Sequence, residues 1–188
     1  MRLFLTLALL STAAAPSAAR VPGGYKLVWS DEFDTAGQPD PAKWVADTHA
    51  NKTGWYNDER QYYSARRLDN ARVADGKLII TARRETLRNA ADFGGQRYTS
   101  ARLMTQGKAR WTYGYFEIRA KLPCGQGTWP AIWMLGEGTW PDGGEIDIME
   151  QVGQRPRRAA RHDPQPRHGR HAGRWQPHRH AGHVHGVP

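Results

Sequence analysis

An all-β sandwich is the fold class this sequence predicts, on three observations. Short apolar or alternating runs recur between residues 24 and 153. Gly, Pro and Asp punctuate the gaps between them, and no window carries a sustained helical stripe.

The elements follow in chain order. Met1 and Arg2 give a short positive start, residues 3–10 form an apolar run, and small residues lead to Ser17-Ala18-Ala19. That layout predicts a secretory signal peptide over residues 1–19, cleaved before Arg20, with an apolar run too short to span a membrane. The mature chain, with no other long apolar segment, is expected to be secreted, extracellular or periplasmic. Residues 25–29 read as a strand, and Ser30-Asp31-Glu32-Phe33-Asp34 as an acidic turn. Asp75-Gly76 signals a turn into a second strand over residues 77–82. Residues 98–105 are a third candidate. Residues 113–121 alternate, with Tyr113, Tyr115, Glu117 and Arg119 on a wet face and Gly114, Phe116, Ile118 and Ala120 on a buried one. Ala131–Leu135 and Glu145–Glu150 complete the set.

Charge and cysteine content narrow the class further. The chain of 188 residues carries a formal +9, but the first 153 residues hold 19 Lys+Arg against 17 Asp+Glu. Residues 154–188 hold eight Arg, one Asp and seven of the eight His. The basicity belongs to one segment, so it is no evidence that the folded part binds nucleic acid. That segment has almost no aliphatic content and cannot bury enough apolar surface to offset its ordering entropy, so it is expected to be a disordered tail. His178, His180, His183 and His185 have no fixed ligand spacing, so a metal site there is the weaker reading. Cys124 is the single cysteine, cannot form an internal disulfide, and reads as a small residue in a turn.

Gly144-Glu145-Ile146-Asp147-Ile148-Met149-Glu150 carries the most chemistry. On a regular strand Glu145 and Asp147 share a face and Glu150 points the other way. A β-bulge around Ile148-Met149 would absorb one residue and bring all three acids together. Glu145 and Glu150 then sit roughly 13 Å apart at Cα. Their side chains can lean to about 5 Å, the separation used by retaining glycosidases. Asp147 between them would help hold their protonation states apart. The plain alternative is a half-exposed strand whose acids face water.

The acidic strand, preceded by Gly125-Gln126-Gly127-Thr128-Trp129-Pro130-Ala131-Ile132-Trp133-Met134-Leu135-Gly136, resembles glycoside hydrolase family 16. The extra Met149 makes it most similar to the laminarinase-like endo-1,3-β-glucanases. Trp29-Ser30-Asp31-Glu32-Phe33, Asn57-Asp58-Glu59-Arg60-Gln61-Tyr62-Tyr63, Tyr98-Thr99-Ser100-Ala101-Arg102 and Tyr113-Gly114-Tyr115-Phe116-Glu117 extend the likeness over about residues 25–153. The resemblance implies a β-jelly-roll sandwich with a sugar cleft and a polysaccharide substrate. A monomer without nucleic-acid or membrane partners is expected. It makes Glu145 the nucleophile, Asp147 its assisting acid and Glu150 the general acid/base. Trp129, Trp133 and Trp140 become candidates to line the cleft, with core packing as the alternative, nearly even for Trp133. Asn57 and Arg102 become candidates for hydrogen bonds to sugar hydroxyls. Trp29 and Trp44 are placed in the core, and Trp111 and Tyr115 fit either role. No cofactor is implied, and the structural calcium of some relatives is left open.

Residues 20–153 are thus expected to form a partial hydrolase domain and residues 154–188 a tail. Relatives continue past the acidic strand with further alternating strands, whereas this tail has the composition of a GC-rich gene read out of frame. A frame change after about Gln151-Val152-Gly153 is therefore expected, with weak or absent hydrolysis as its consequence. Sequencing the gene and translating it one base over downstream of codon 153 should restore an alternating strand pattern.

Overall fold

The computed structural model describes residues 21–153 and the strand Val184–Gly186. Among these residues it contains ten strands and no helix: β1 Lys26–Trp29, β2 Val45–Ala46, β3 Gln61–Tyr63, β4 Ala71–Ala74, β5 Lys77–Ile80, β6 Tyr98–Ser100, β7 Leu103–Met104, β8 Ala131–Leu135, β9 Glu145–Glu150 and β10 Val184–Gly186. They associate as five two-stranded sheets, β1–β10, β2–β7, β3–β6, β4–β5 and β8–β9. Only β3–β6 is parallel, with Gln61 opposite Tyr98 and Tyr63 opposite Ser100. No helix among the described residues is long and apolar enough to cross a membrane. The expected signal peptide lies outside the described residues.

The described residues fall into two compact units, one of residues 21–116 with β10 and one of residues 117–153. In the first, Asp75 and Gly76 take φ of 52° and 65°, the left-handed pair that a two-residue hairpin requires. They join Ala74 to Lys77 in the β4–β5 ladder. Trp29 lies edge-on to both Trp44 and Trp111, and Trp111 edge-on to Phe116. Trp29 and Trp44, expected in the core, lie half-buried in this aromatic cluster, and Trp111 joins them. Asp31 pins this corner: its carboxylate accepts the Trp44 indole N–H at 2.7 Å and the Phe33 amide at 3.2 Å, and it pairs with Lys43.

The interior of this unit is polar as well as apolar. Asn51, Asn70 and Thr99 are fully buried beside Trp55, Tyr62, Ala71 and Val73. Asn51 donates to the Tyr63 carbonyl and to Asp92, and its own carbonyl accepts from the Trp55 indole and the Tyr63 amide. Gln96 in turn donates to the Asn51 backbone carbonyl. Asn70 bridges Thr81 and Thr99 and accepts from Ser64. With every group satisfied, such a network fixes the loops between short strands instead of costing stability.

Two expectations need correction. Residues 113–121 form no strand; their backbone makes too few ladder bonds, and Glu117, assigned to the wet face, is buried with one carboxylate oxygen unpartnered. Residues 98–105 divide into β6 and β7, because the chain changes partner from β3 to β2 at Ala101-Arg102. Within the stretch expected to be disordered, Val184–Gly186 pair antiparallel with β1. Backbone pairing to an open strand edge needs no apolar composition. The rest of that stretch lies outside the described residues.

Glu85 closes the network at its surface. Arg67 grips both its oxygens, at 2.6 and 3.1 Å, and Thr99 donates to one of them. These bonds, Arg67 first, push the Glu85 carboxyl down to about 2 from 4.5. A depressed carboxyl stabilises the fold above its unfolded value and loses that contribution as pH falls through its folded value. Glu85→Gln should therefore lower the urea midpoint at pH 7, and the deficit should shrink between pH 4.5 and 2.

Candidate active site

The second unit is organised around one hairpin. β8 reads Ala-Ile-Trp-Met-Leu and β9 Glu-Ile-Asp-Ile-Met-Glu, apolar enough to pair and alternating enough to fix a register. The pairs are Leu135–Glu145, Met134–Ile146, Trp133–Asp147, Ile132–Met149 and Ala131–Glu150. Ile148 has no partner. It is the extra residue of a β-bulge, and its insertion turns Glu150 onto the face already holding Glu145 and Asp147. The expected kink is present, at Ile148. Beyond β9 the pairing continues through Gln151 N–H to Pro130 and Gly153 N–H to Thr128.

The loop between the strands is held by its glycines. Gly136 N–H donates to Gly144, Gly143 N–H to Thr139 and Gly144 N–H to Pro141. A Cβ on Gly136 would lie 1.7 Å from the Gly143 carbonyl oxygen, so only hydrogen fits. Gly144, at φ 76°, turns the chain into Glu145.

Each acid has a tryptophan. The Trp140 indole N–H donates to Glu145 Oε2 at 3.0 Å, and the Trp129 indole N–H to Glu150 Oε1 at 2.8 Å. Trp133 stands opposite Asp147 in the ladder and so shares its face. Trp133 is half-buried there. Trp129 and Trp140 are exposed. The sequence had marked these rings as candidate stacking surfaces; their role as donors was not legible, since it depends on where each indole edge points.

The three carboxylates sense one another. Glu145 is raised above the ordinary carboxylate value, first by loss of solvent around its carboxyl and then by the charge of Asp147. A hydrogen bond with Asp147 and the charge of Glu150 add to the rise, and the Trp140 N–H opposes it. A carboxyl raised by burial and neighbouring acids, as Glu145 is, is the kind of group that acid–base chemistry uses.

Asn57 and Arg102 belong to the other unit. Asn57 is exposed, and with Asp58 it takes φ near 57° in a tight turn closed by Glu59 N–H to Tyr56. The Asp at position 58 is thus at a turn. Arg102 is mostly buried: its Nε meets Asp47 at 2.9 Å and its guanidinium lies over the Trp55 ring. Asp47 also bonds His49 at 2.6 Å, and His49 lies edge-on to Trp55. Arg102 therefore organises its own loops, a use the sequence reading missed because Asp47 lies 55 positions away. Among the described residues no group of His, Cys, Asp or Glu is set to hold a metal.

Comparison with known proteins follows this geometry. The family described as XgeA-like, catalytic GH16 domain matches residues 42–168. A beta-glucanase of Rhodothermus marinus is 58% identical over 138 residues, covering 70% of this chain and 46% of that protein. The crystal structure of SCLam, a non-specific endo-beta-1,3(4)-glucanase from family GH16, superposes with a TM-score of 0.70 at 57% identity, over 72% of this chain and 51% of that one. A beta-1,3-glucan-binding protein of Penaeus monodon is 52% identical over 59 residues, 29% of this chain and 16% of that protein. The chain spans about half the length of the beta-glucanase and of SCLam.

The raised carboxyl has a consequence for stability. Below its ordinary value of 4.5 Glu145 is protonated whether folded or not, and as pH rises through the raised folded value folding loses stability. Glu145→Gln should therefore raise the unfolding midpoint at pH 7, with the gain vanishing below about pH 4.

Proposed function

The chain belongs to glycoside hydrolase family 16, and from that membership we propose that it hydrolyses internal β-linkages of a β-glucan, 1,3-linked glucan foremost, with retention at the anomeric carbon. One observation carries the reading: the bulge at Ile148 sets Glu145, Asp147 and Glu150 on a single face, with indole donors on the outer two.

In the first step a Glu145 oxygen bonds to the anomeric carbon as the glycosidic C–O bond breaks, and Glu150 gives its proton to the departing oxygen. In the second, Glu150 takes a proton from water, whose oxygen displaces Glu145 with a second inversion. Asp147, hydrogen-bonded to Glu145, assists the nucleophile. Trp129, Trp133 and Trp140 offer ring faces to sugar rings. The relatives support a jelly-roll sandwich, and the leader composition supports secretion.

The glucan-binding relative favours a second reading, a carbohydrate-binding protein on the same fold. Incubating the purified chain with laminarin separates the two. Release of reducing ends that falls by at least about a thousandfold in Glu145→Gln supports the hydrolase. Proton NMR should then show the β-anomer first. Binding of laminarin without any release, equal in both proteins, would leave the second reading.

A further inference from the structure

We propose that Trp140 is a positioning residue for Glu145: its indole N–H fixes the carboxylate and favours its ionised form, while its ring face stays open to a sugar. The proposal rests on Glu145 being the nucleophile.

The geometry is specific. Nε1 of Trp140 lies 3.0 Å from Oε2 of Glu145, although Trp140 is 67% exposed and water could satisfy its N–H. The donor is aimed by the loop, whose bonds Gly136 to Gly144, Gly143 to Thr139 and Gly144 to Pro141 tie the ring's backbone to the start of β9. Glycine at 136 lets the two ends of this loop touch.

Chemistry then gives the bond a direction. An indole N–H can only donate, so it rewards the unprotonated oxygen and can never accept a proton from Glu145. Everything else around this carboxyl acts the opposite way. Burial, the charges of Asp147 and Glu150, and the hydrogen bond with Asp147 all favour protonation. From β8, Leu135 pairs with Glu145 and Trp133 with Asp147, and neither carries a charge. Glu137 and Asp142 of the loop are not among the groups that move it. Trp140 is the counterweight that lets a nucleophile work inside a row of acids. Because the same ring can stack on a sugar, an arriving substrate would shield the bond from water and strengthen it.

The test is a carboxyl titration followed by carbon-13 NMR in protein labelled at glutamate, with Glu145 assigned through Glu145→Gln. Trp140→Phe keeps a ring and removes the donor. Its Glu145 midpoint should move to higher pH, with the β8–β9 amide resonances unchanged. On laminarin, kcat should fall about tenfold, with a smaller change in KM, and the acid limb of the rate profile should shift upward. An unmoved Glu145 midpoint, or a rise in KM alone, would overturn the proposal and leave Trp140 as a stacking surface. In the unaltered protein, whatever the fate of the variant, the Trp140 indole N–H resonance should titrate with Glu145; a flat response would equally overturn it. Absence of hydrolysis with the titration shift intact would count against the hydrolase reading and not against the Trp140 bond.

Discussion

One unpaired residue governs the chemistry of this chain. Without Ile148 bulging out of the β8–β9 ladder, Glu150 would sit on the opposite face from Glu145 and Asp147, and the three acids could not act together. The bulge works because it is bracketed by regular pairs, Trp133–Asp147 on one side and Ile132–Met149 on the other. It shifts the register by one residue and leaves the remaining hydrogen bonds to hold the strands. A feature of backbone geometry thus decides which side chains meet.

Around that kink the site solves an electrostatic problem of its own making. Burial first, and the neighbouring carboxylates after it, raise the cost of ionising Glu145. Indole donors on Glu145 and Glu150 answer part of that cost from the outside of the row. Function and stability pull apart here, since the arrangement that makes the acids useful is one the fold would be more stable without.

Much of this was legible in the sequence, and the pattern of success has a physical cause. β8 and β9 were placed to the residue, because alternation and length are local properties, and three acids with one surplus residue forced a bulge. Asp75-Gly76 was legible because a two-residue turn demands left-handed backbone there. Residues 113–121 alternate just as cleanly, yet strand formation needs a partner as well as a pattern, and Glu117 ended buried. The interior network of Asn51, Asn70 and Thr99 was invisible. Its partners come from loops up to about forty-five residues apart, and polar residues in a sequence read as surface. Arg102 illustrates the same limit, since its motif suggested a ligand and its geometry supplied Asp47 and Trp55.

The close approach of Gly136 and Gly143 also constrains how such a site could diversify. No Cβ fits at Gly136, at the base of the loop, so that position is closed to mutational drift. Between the two glycines, the residues around Trp140 are exposed, while Trp140 itself is tied to Glu145. New preferences among polysaccharides would therefore be expected to arise from residues 137–142, as interchangeable fittings on a fixed mount.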